Sequence, residues 1–209
     1  IVLKDAETGM RFLGISGRNT AVNITHNRVW LEGISANNTN NNKNGVELSN
    51  CDHVSIEENT VSGIDANTTN GSANAFYPRG FRLQYSSKNT VRCNRAFNLR
   101  SGYRFESVCD NTDFASNDIG VDATTPIEDV NGNILNTHPE YYNYVGLYIT
   151  PNGQGIIGPQ TPNKGNRWYG GSNYSTNLFS SNKAAKNLNI NTVQFYPIEI
   201  TPYGSFTDN

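Results

Sequence analysis

Two short patterns recur along the first 150 residues, and together they constrain the fold more tightly than anything else in the chain. The first is Gly, apolar, any residue, apolar. It stands at Gly9-Met10-Arg11-Phe12, Gly45-Val46-Glu47-Leu48, Gly80-Phe81-Arg82-Leu83, Gly102-Tyr103-Arg104-Phe105 and Gly146-Leu147-Tyr148-Ile149. The second is apolar, two others, Asn, one other, then apolar or Ala, running Ile24 to Asn27 to Val29, Ile56 to Asn59 to Val61, Val91 to Asn94 to Ala96, and Phe114 to Asn117 to Ile119. Both alternate with period two between Gly and Asn punctuation, which is the signature of short strands with one buried face and is incompatible with amphipathic helices.

One unit therefore carries a strand at Gly-Φ-x-Φ, a turn, a second strand ending near the Asn, a corner, and a third short strand such as Val29, Val61 or Ile119. Successive glycines lie 36, 35, 22 and 44 residues apart, so a bare unit of about 22 residues accommodates loops. Two such loops, Ala36–Asn44 and Asn67–Arg79, both precede a Gly strand. Three strands per unit with loops gathered at one corner predict an all-β parallel solenoid of about five to seven coils, stacked about 4.8 Å apart. Residues 1–150 form the repeats. Residues 151–209, with Pro151, Pro159 and Pro162 among many Gly and Asn, read as an irregular C-terminal cap or a small appended β module.

Composition fits a thin core of this kind. Only 35% of the 209 residues are hydrophobic, while 33 are Asn. Only the inward columns of a stacked repeat need be apolar. Asn27, Asn59, Asn94 and Asn117 are expected to stack as a ladder at one corner, where Asn tolerates left-handed backbone and its amide reaches the next coil. The balance of 16 basic against 18 acidic residues leaves no footprint for nucleic acid, and no apolar run is long enough for a membrane-spanning helix. No leader sequence opens the chain, which reads as a mature or excised piece of a larger polypeptide or assembly.

The repeats resemble those of right-handed parallel β-helix proteins of the pectate-lyase-like kind, including secreted and cell-surface proteins of Bacteroidetes-type bacteria. The stretch Gly158-Pro159-Gln160 through Gly165-Asn166-Arg167-Trp168 is similar to the segment C-terminal to such repeats in those secreted proteins. The resemblance implies a right-handed β-helix and a secreted or cell-surface location. It spans polysaccharide lyases, glycoside hydrolases and non-catalytic adhesins, so it does not choose among functions.

The outer positions decide between those functions. Beside the second strand they read Asn23, Ser55, Thr90 and Asp113, then Thr25, Glu57, Arg92 and Ala115, with no stacked acidic pair; Glu57 and Arg92 read as a cross-strand charge pair. No catalytic residue is assigned. The outer column of the Gly strand, Arg11, Glu47, Arg82, Arg104 and Tyr148, suits stacking on sugar rings and donation to hydroxyls or carboxylates. Cys51, Cys93 and Cys109 are placed on different coils or faces and so form no disulfide. His26, His53 and His138 make no zinc signature, and no cofactor is expected; calcium at Asp110, Asp113, Asp118 and Asp122 is the alternative. The expectation is a non-enzymatic structural or adhesive module with glycan contact and a polysaccharide or cell-surface partner. A carbohydrate-active enzyme is the alternative.

Overall fold

The computed structural model describes residues 1–6, 8–31, 43–63, 78–99, 101–107, 109, 112–129, 131–139, 141, 143, 145–149, 166–168, 179–180 and 192–194. Among them there are strands and no helix. A leading strand, β1 (Val2–Ala6), is succeeded by triplets. The first is β2 (Thr8–Leu13), β3 (Val22–Thr25) and β4 (Arg28–Leu31); the second is β5 (Asn44–Ser49), β6 (Val54–Glu57) and β7 (Thr60–Ser62). The third is β8 (Arg79–Gln84), β9 (Thr90–Arg92) and β10 (Arg95–Phe97), and the fourth is β11 (Ser101–Glu106), β12 (Asp113–Ala115) and β13 (Asp118–Ile119). After these come β14 (Ile127–Glu128), β15 (Ile134–Leu135), β16 (Val145–Ile149), β17 (Asn166–Trp168), β18 (Phe179–Ser180) and β19 (Thr192–Gln194).

The chain visits three parallel sheets in turn. Sheet one runs β2-β5-β8-β11-β16-β18, sheet two β3-β6-β9-β12, and sheet three β1-β4-β7-β10-β13-β17-β19. Among the described strands only β14 and β15 pair antiparallel. The described strands within 151–209 are thus additions to sheets one and three; the remainder of the expected cap lies outside the described residues, as do nearly all of the two predicted loops.

Register places like residues in columns. Val46, Phe81, Tyr103 and Leu147 align in sheet one, Ile24, Ile56, Val91 and Phe114 in sheet two, and Val29, Val61, Ala96 and Ile119 in sheet three. All of these belong to one buried cluster. Parallel pairing in register stacks Phe81 on Tyr103 at 5.0 Å between ring centroids, while Phe114 meets Tyr103 edge-on at 4.9 Å. The glycine of the first motif is required by close approach. A Cβ on Gly45 would lie 2.3 Å from Val61 Cγ1, and one on Gly80 would lie 2.3 Å from the Gly102 carbonyl oxygen.

The second motif is explained by its asparagine. Asn27, Asn59, Asn94, Asn117 and Asn166 form a chain in which each residue donates its backbone N–H and its Nδ2 to the Oδ1 of the next, at 2.8–3.1 Å. The second Nδ2 proton goes back to the carbonyl of the motif's apolar residue one repeat earlier: Asn59 to Ile24, Asn94 to Ile56, Asn117 to Val91 and Asn166 to Phe114, at 2.7–3.1 Å. All five asparagines are buried. The left-handed backbone expected of them belongs instead to the residue before: His26, Glu58, Cys93 and Ser116 have φ of 54–58°. The physical reason is that the amide must face inward with ordinary backbone geometry, so the preceding residue makes the bend and turns its side chain out.

Asn94→Ala removes the acceptor of two buried Asn59 N–H groups and strands the Ile56 carbonyl. At about 1–3 kcal/mol for a buried group left unpaired, a loss of about 3–5 kcal/mol is expected, read as a lower urea midpoint; Thr90→Ala, on the outer face of the neighbouring strand, serves as the control with little change.

Candidate functional site

The outer column of sheet one is in register across five strands, Arg11 opposite Glu47, then Arg82, Arg104 and Tyr148. Alternation turns these residues away from the core, yet they are far from equally exposed. The Arg11 side chain is 57% exposed, against 15% for Arg82 and 4% for Glu47. The side chain of Tyr148 lies outside the described set, so that position is fixed by backbone register alone.

Arg82 is the hub. Its Nη1 donates to Glu47 Oε1 at 3.0 Å, and its Nε and Nη2 donate to Glu106 Oε2 at 2.9 and 2.6 Å. Arg104 donates to the other oxygen of Glu106, Arg11 approaches Glu47 at 3.5 Å, and the Asn44 amide donates to Glu47 Oε2 at 3.0 Å. Glu106, at the end of β11, completes the group and was not singled out by sequence; its signal is the in-register column Ser49, Gln84, Glu106 beside the arginines. Arg79 adds a fourth guanidinium, which burial and the neighbouring Arg104 push down to about 10. Burial raises the Glu106 carboxyl, but Arg82 and Arg104 outweigh it and hold the group below its ordinary value. Four guanidiniums thus face two carboxylates. The face carries excess positive charge, and both carboxylates are engaged by arginine, which suits anion and hydroxyl recognition better than proton donation by a carboxylic acid.

Other candidates disperse. Arg92 pairs with Asp113, and Glu57 accepts from Ser55 Oγ at 2.6 Å, in place of the expected Glu57–Arg92 pair. The exchange is local: Asp113 lies diagonally on the next strand, two positions from Ala115, the register partner of Arg92, and so on the same face. Asp118 meets Arg95 at 3.2 Å and Asp122 accepts from Thr124 and Thr125, so these carboxylates have separate partners; Asp110 lies outside the described residues. Among the described residues no three His, Cys, Asp or Glu side chains gather as for a metal. His26 pairs with Glu58, while His138 Nε2 lies 2.7 Å from the Thr125 carbonyl. Cys51 and Cys109 are buried, Cys93 is exposed, and none is in a disulfide.

Sheet three carries two depressions outside the arginine column. A groove of about 520 Å³ is bordered by Glu58, Thr60, Cys93, Arg95 and Asp118. A smaller cavity of about 170 Å³ lies between the sheet and the β14–β15 hairpin, and Thr60 and Arg95 border both. Sequence reading passed over this hairpin because its strands are two residues long. Its signal is Asp129 followed by Asn131-Gly132-Asn133 between apolar residues: Gly132 has φ of 85°, and the Asp129 carboxylate accepts from the Asn131 and Asn133 N–H groups at 2.8 Å.

Glu106→Gln is expected to lower stability by about 1–3 kcal/mol near neutral pH, because two poorly exposed arginines lose a charged partner. The Glu106 carboxyl titrates below its ordinary 4.5, so its stabilisation is full above that value and fades as pH falls through the depressed one. The melting-temperature gap between wild type and variant should therefore be constant from neutral to about pH 5 and close in more acid solution; a gap that stays open there contradicts the assigned pairing.

Comparison with protein-family models, with curated proteins and with solved structures finds no match to this chain.

Proposed function

We propose that the chain is a right-handed parallel β-helix module of a secreted or cell-surface bacterial protein, structural and adhesive, that contacts glycans through the outer face of sheet one. The observation that carries this reading is the in-register row Arg11, Glu47, Arg82, Arg104 and Tyr148, in which an excess of guanidinium is held in place by Glu47 and Glu106. The strand order, in which every strand from β1 to β10 pairs with the one three places on, supports the β-helix. A flat parallel face repeats its donors at the strand spacing, so successive arginines meet successive groups of an extended chain, and surplus positive charge favours glycans bearing carboxylates.

The alternative, a polysaccharide lyase or glycoside hydrolase, draws on the two carboxylates of the same face. Glu47 and Glu106 stand on β5 and β11 with β8 between them, so their strands are about 9.6 Å apart and the two residues are further offset by two positions along the strands. Acid–base hydrolysis needs one such carboxyl to hold its proton at working pH. Arginine contacts act in the opposite direction.

The test is a panel of acidic and neutral polysaccharides, following binding together with new reducing ends and unsaturated ends. Binding of acidic members without turnover is expected, weakened about fivefold or more by Arg11→Ala and by Arg104→Ala, as the loss of one charged hydrogen bond implies. Turnover above background would replace the adhesive reading with the enzymatic one, and binding indifferent to both substitutions would remove the arginine face.

A further inference from the structure

The arginine face of sheet one is a series of alternating charges with one link missing. Glu47 lies between Arg11 and Arg82, and Glu106 lies between Arg82 and Arg104, so each carboxylate serves two guanidiniums. Glu106 shows the mode, because one of its oxygens accepts from Arg82 and the other from Arg104. The series Arg11, Glu47, Arg82, Glu106, Arg104 thus begins and ends on arginine. Next to Arg104 stands a further guanidinium, Arg79, and among the described residues no carboxylate pairs with it.

Arg79 opens β8, opposite Asn44 on β5 and Ser101 on β11, three residues before the row that holds Arg82 and Arg104. One strand across and three residues along put its Cα about 11 Å from that of Arg104, so two extended side chains can converge on one small anion. Arg79 is half-buried and makes no ion pair or side-chain hydrogen bond with the described residues. Unlike Arg92 Nε, its nitrogens are not closed off from solvent. Burial and repulsion from Arg104 act against its charge more strongly than Glu106 and Glu47 support it, and bring it down to about 10. A guanidinium that has given up water without gaining a partner is unfavourable for the fold alone, and a bound anion removes that penalty.

We infer that Arg79 and Arg104 hold one oxyanion between them, a carboxylate or sulfate half-ester carried by a sugar residue, in the place of a third carboxylate of the series. That the carrier is a sugar rests on the function proposed above; the anion site rests on the arrangement of the arginines. An oxyanion can direct one oxygen to each guanidinium, as Glu106 does, whereas chloride has no such pair of oxygens. A neutral sugar brings no charge to a position where negative charge is what is lacking.

The experiment uses the ¹⁵N-labelled full chain at fixed ionic strength with three probes: methyl glucuronoside, a glucose sulfate ester and neutral methyl glucoside. The Nε–H cross-peak of Arg79 is assigned by its loss in Arg79→Gln. Saturable movement of that peak is expected with at least one of the two anionic sugars, and the one that moves it names the oxyanion. Methyl glucoside and added chloride should leave it in place. In ligand-observed saturation transfer, Arg79→Gln and Arg104→Ala should each weaken the same sugar about tenfold, while Arg18→Ala, at an arginine paired with Asp52 away from this face, should not. Without ligand, Arg79→Gln should melt at or above the wild-type temperature, because it loses an unbalanced charge. The inference is overturned if neither anionic sugar moves the peak, if methyl glucoside or chloride moves it as far, or if Arg79→Gln binds as wild type does. Melting of unliganded Arg79→Gln well below wild type would make Arg79 a structural residue, with the same result. Polysaccharide binding weakened by Arg11→Ala and untouched by Arg79→Gln would sink this inference and leave the proposed function standing. Anionic sugars held at Arg79 by a chain that binds no polysaccharide would do the reverse.

Discussion

An asparagine side chain offers two N–H donors and one carbonyl oxygen with two lone pairs, and the corner of this protein uses all four. In Asn59 and Asn94 the oxygen receives two N–H groups from the preceding rung, one amide proton goes to the next rung, and the other goes to a backbone carbonyl of the preceding repeat. No other side chain matches this set. Aspartate lacks the donors, serine lacks the reach, and glutamine brings an extra methylene into a buried corner. Each bond is worth about 1 kcal/mol net, but leaving any group unpaired costs more, so the ladder acts chiefly by penalising misalignment. A slip of one residue in β6 or β9 would break several bonds together and turn Ile56 or Val91 outward.

Packing is a consequence of that fixed corner. Once the rungs hold successive repeats in register, identical positions stack, so Phe81 must meet Tyr103 and Val29 must lie beside Val61. Sheets one and three come so close that Gly9 faces a Val29 methyl and Gly45 the Val61 methyl groups with no room for a Cβ. The two sequence motifs are thus two sides of one requirement. The asparagine sets where the chain turns, and the glycine lets the next strand pass the side chain that this turn delivers.

The strands and their parallel stacking were legible because period-two alternation and Gly–Asn punctuation are local properties. The features that escaped depended on context. Asn166 is the fifth rung, but an Asn stands three residues earlier where the motif has an apolar residue, so no pattern marks it. The left-handed residue of the corner is His26, Glu58, Cys93 or Ser116, four residue types without a common propensity, chosen by their place before the asparagine. In the arginine face, alternation places Glu47 on the outside, yet the Asn44 and Arg82 groups around it leave it buried, and Glu106 joins only through strand pairing. The cavity under the β14–β15 hairpin was illegible for a related reason, since Arg28, Thr60 and Arg95 stand far apart in sequence and border one space only when a hairpin of two-residue strands closes over them.

The bend residues before each asparagine have a consequence for how such a chain can evolve. Their backbone strain, about 1–2 kcal/mol each, is set by φ and is nearly indifferent to which unbranched side chain is carried. His26 and Glu58 point outward while the amides beneath them stay buried. Mutation can therefore rewrite this column from charged to thiol to hydroxyl, as the present sequence already does, without disturbing the rungs. The corner separates inheritance into two tracks: a conservative inner line that specifies the fold, and an outer line of stacked positions free to drift or to acquire new recognition.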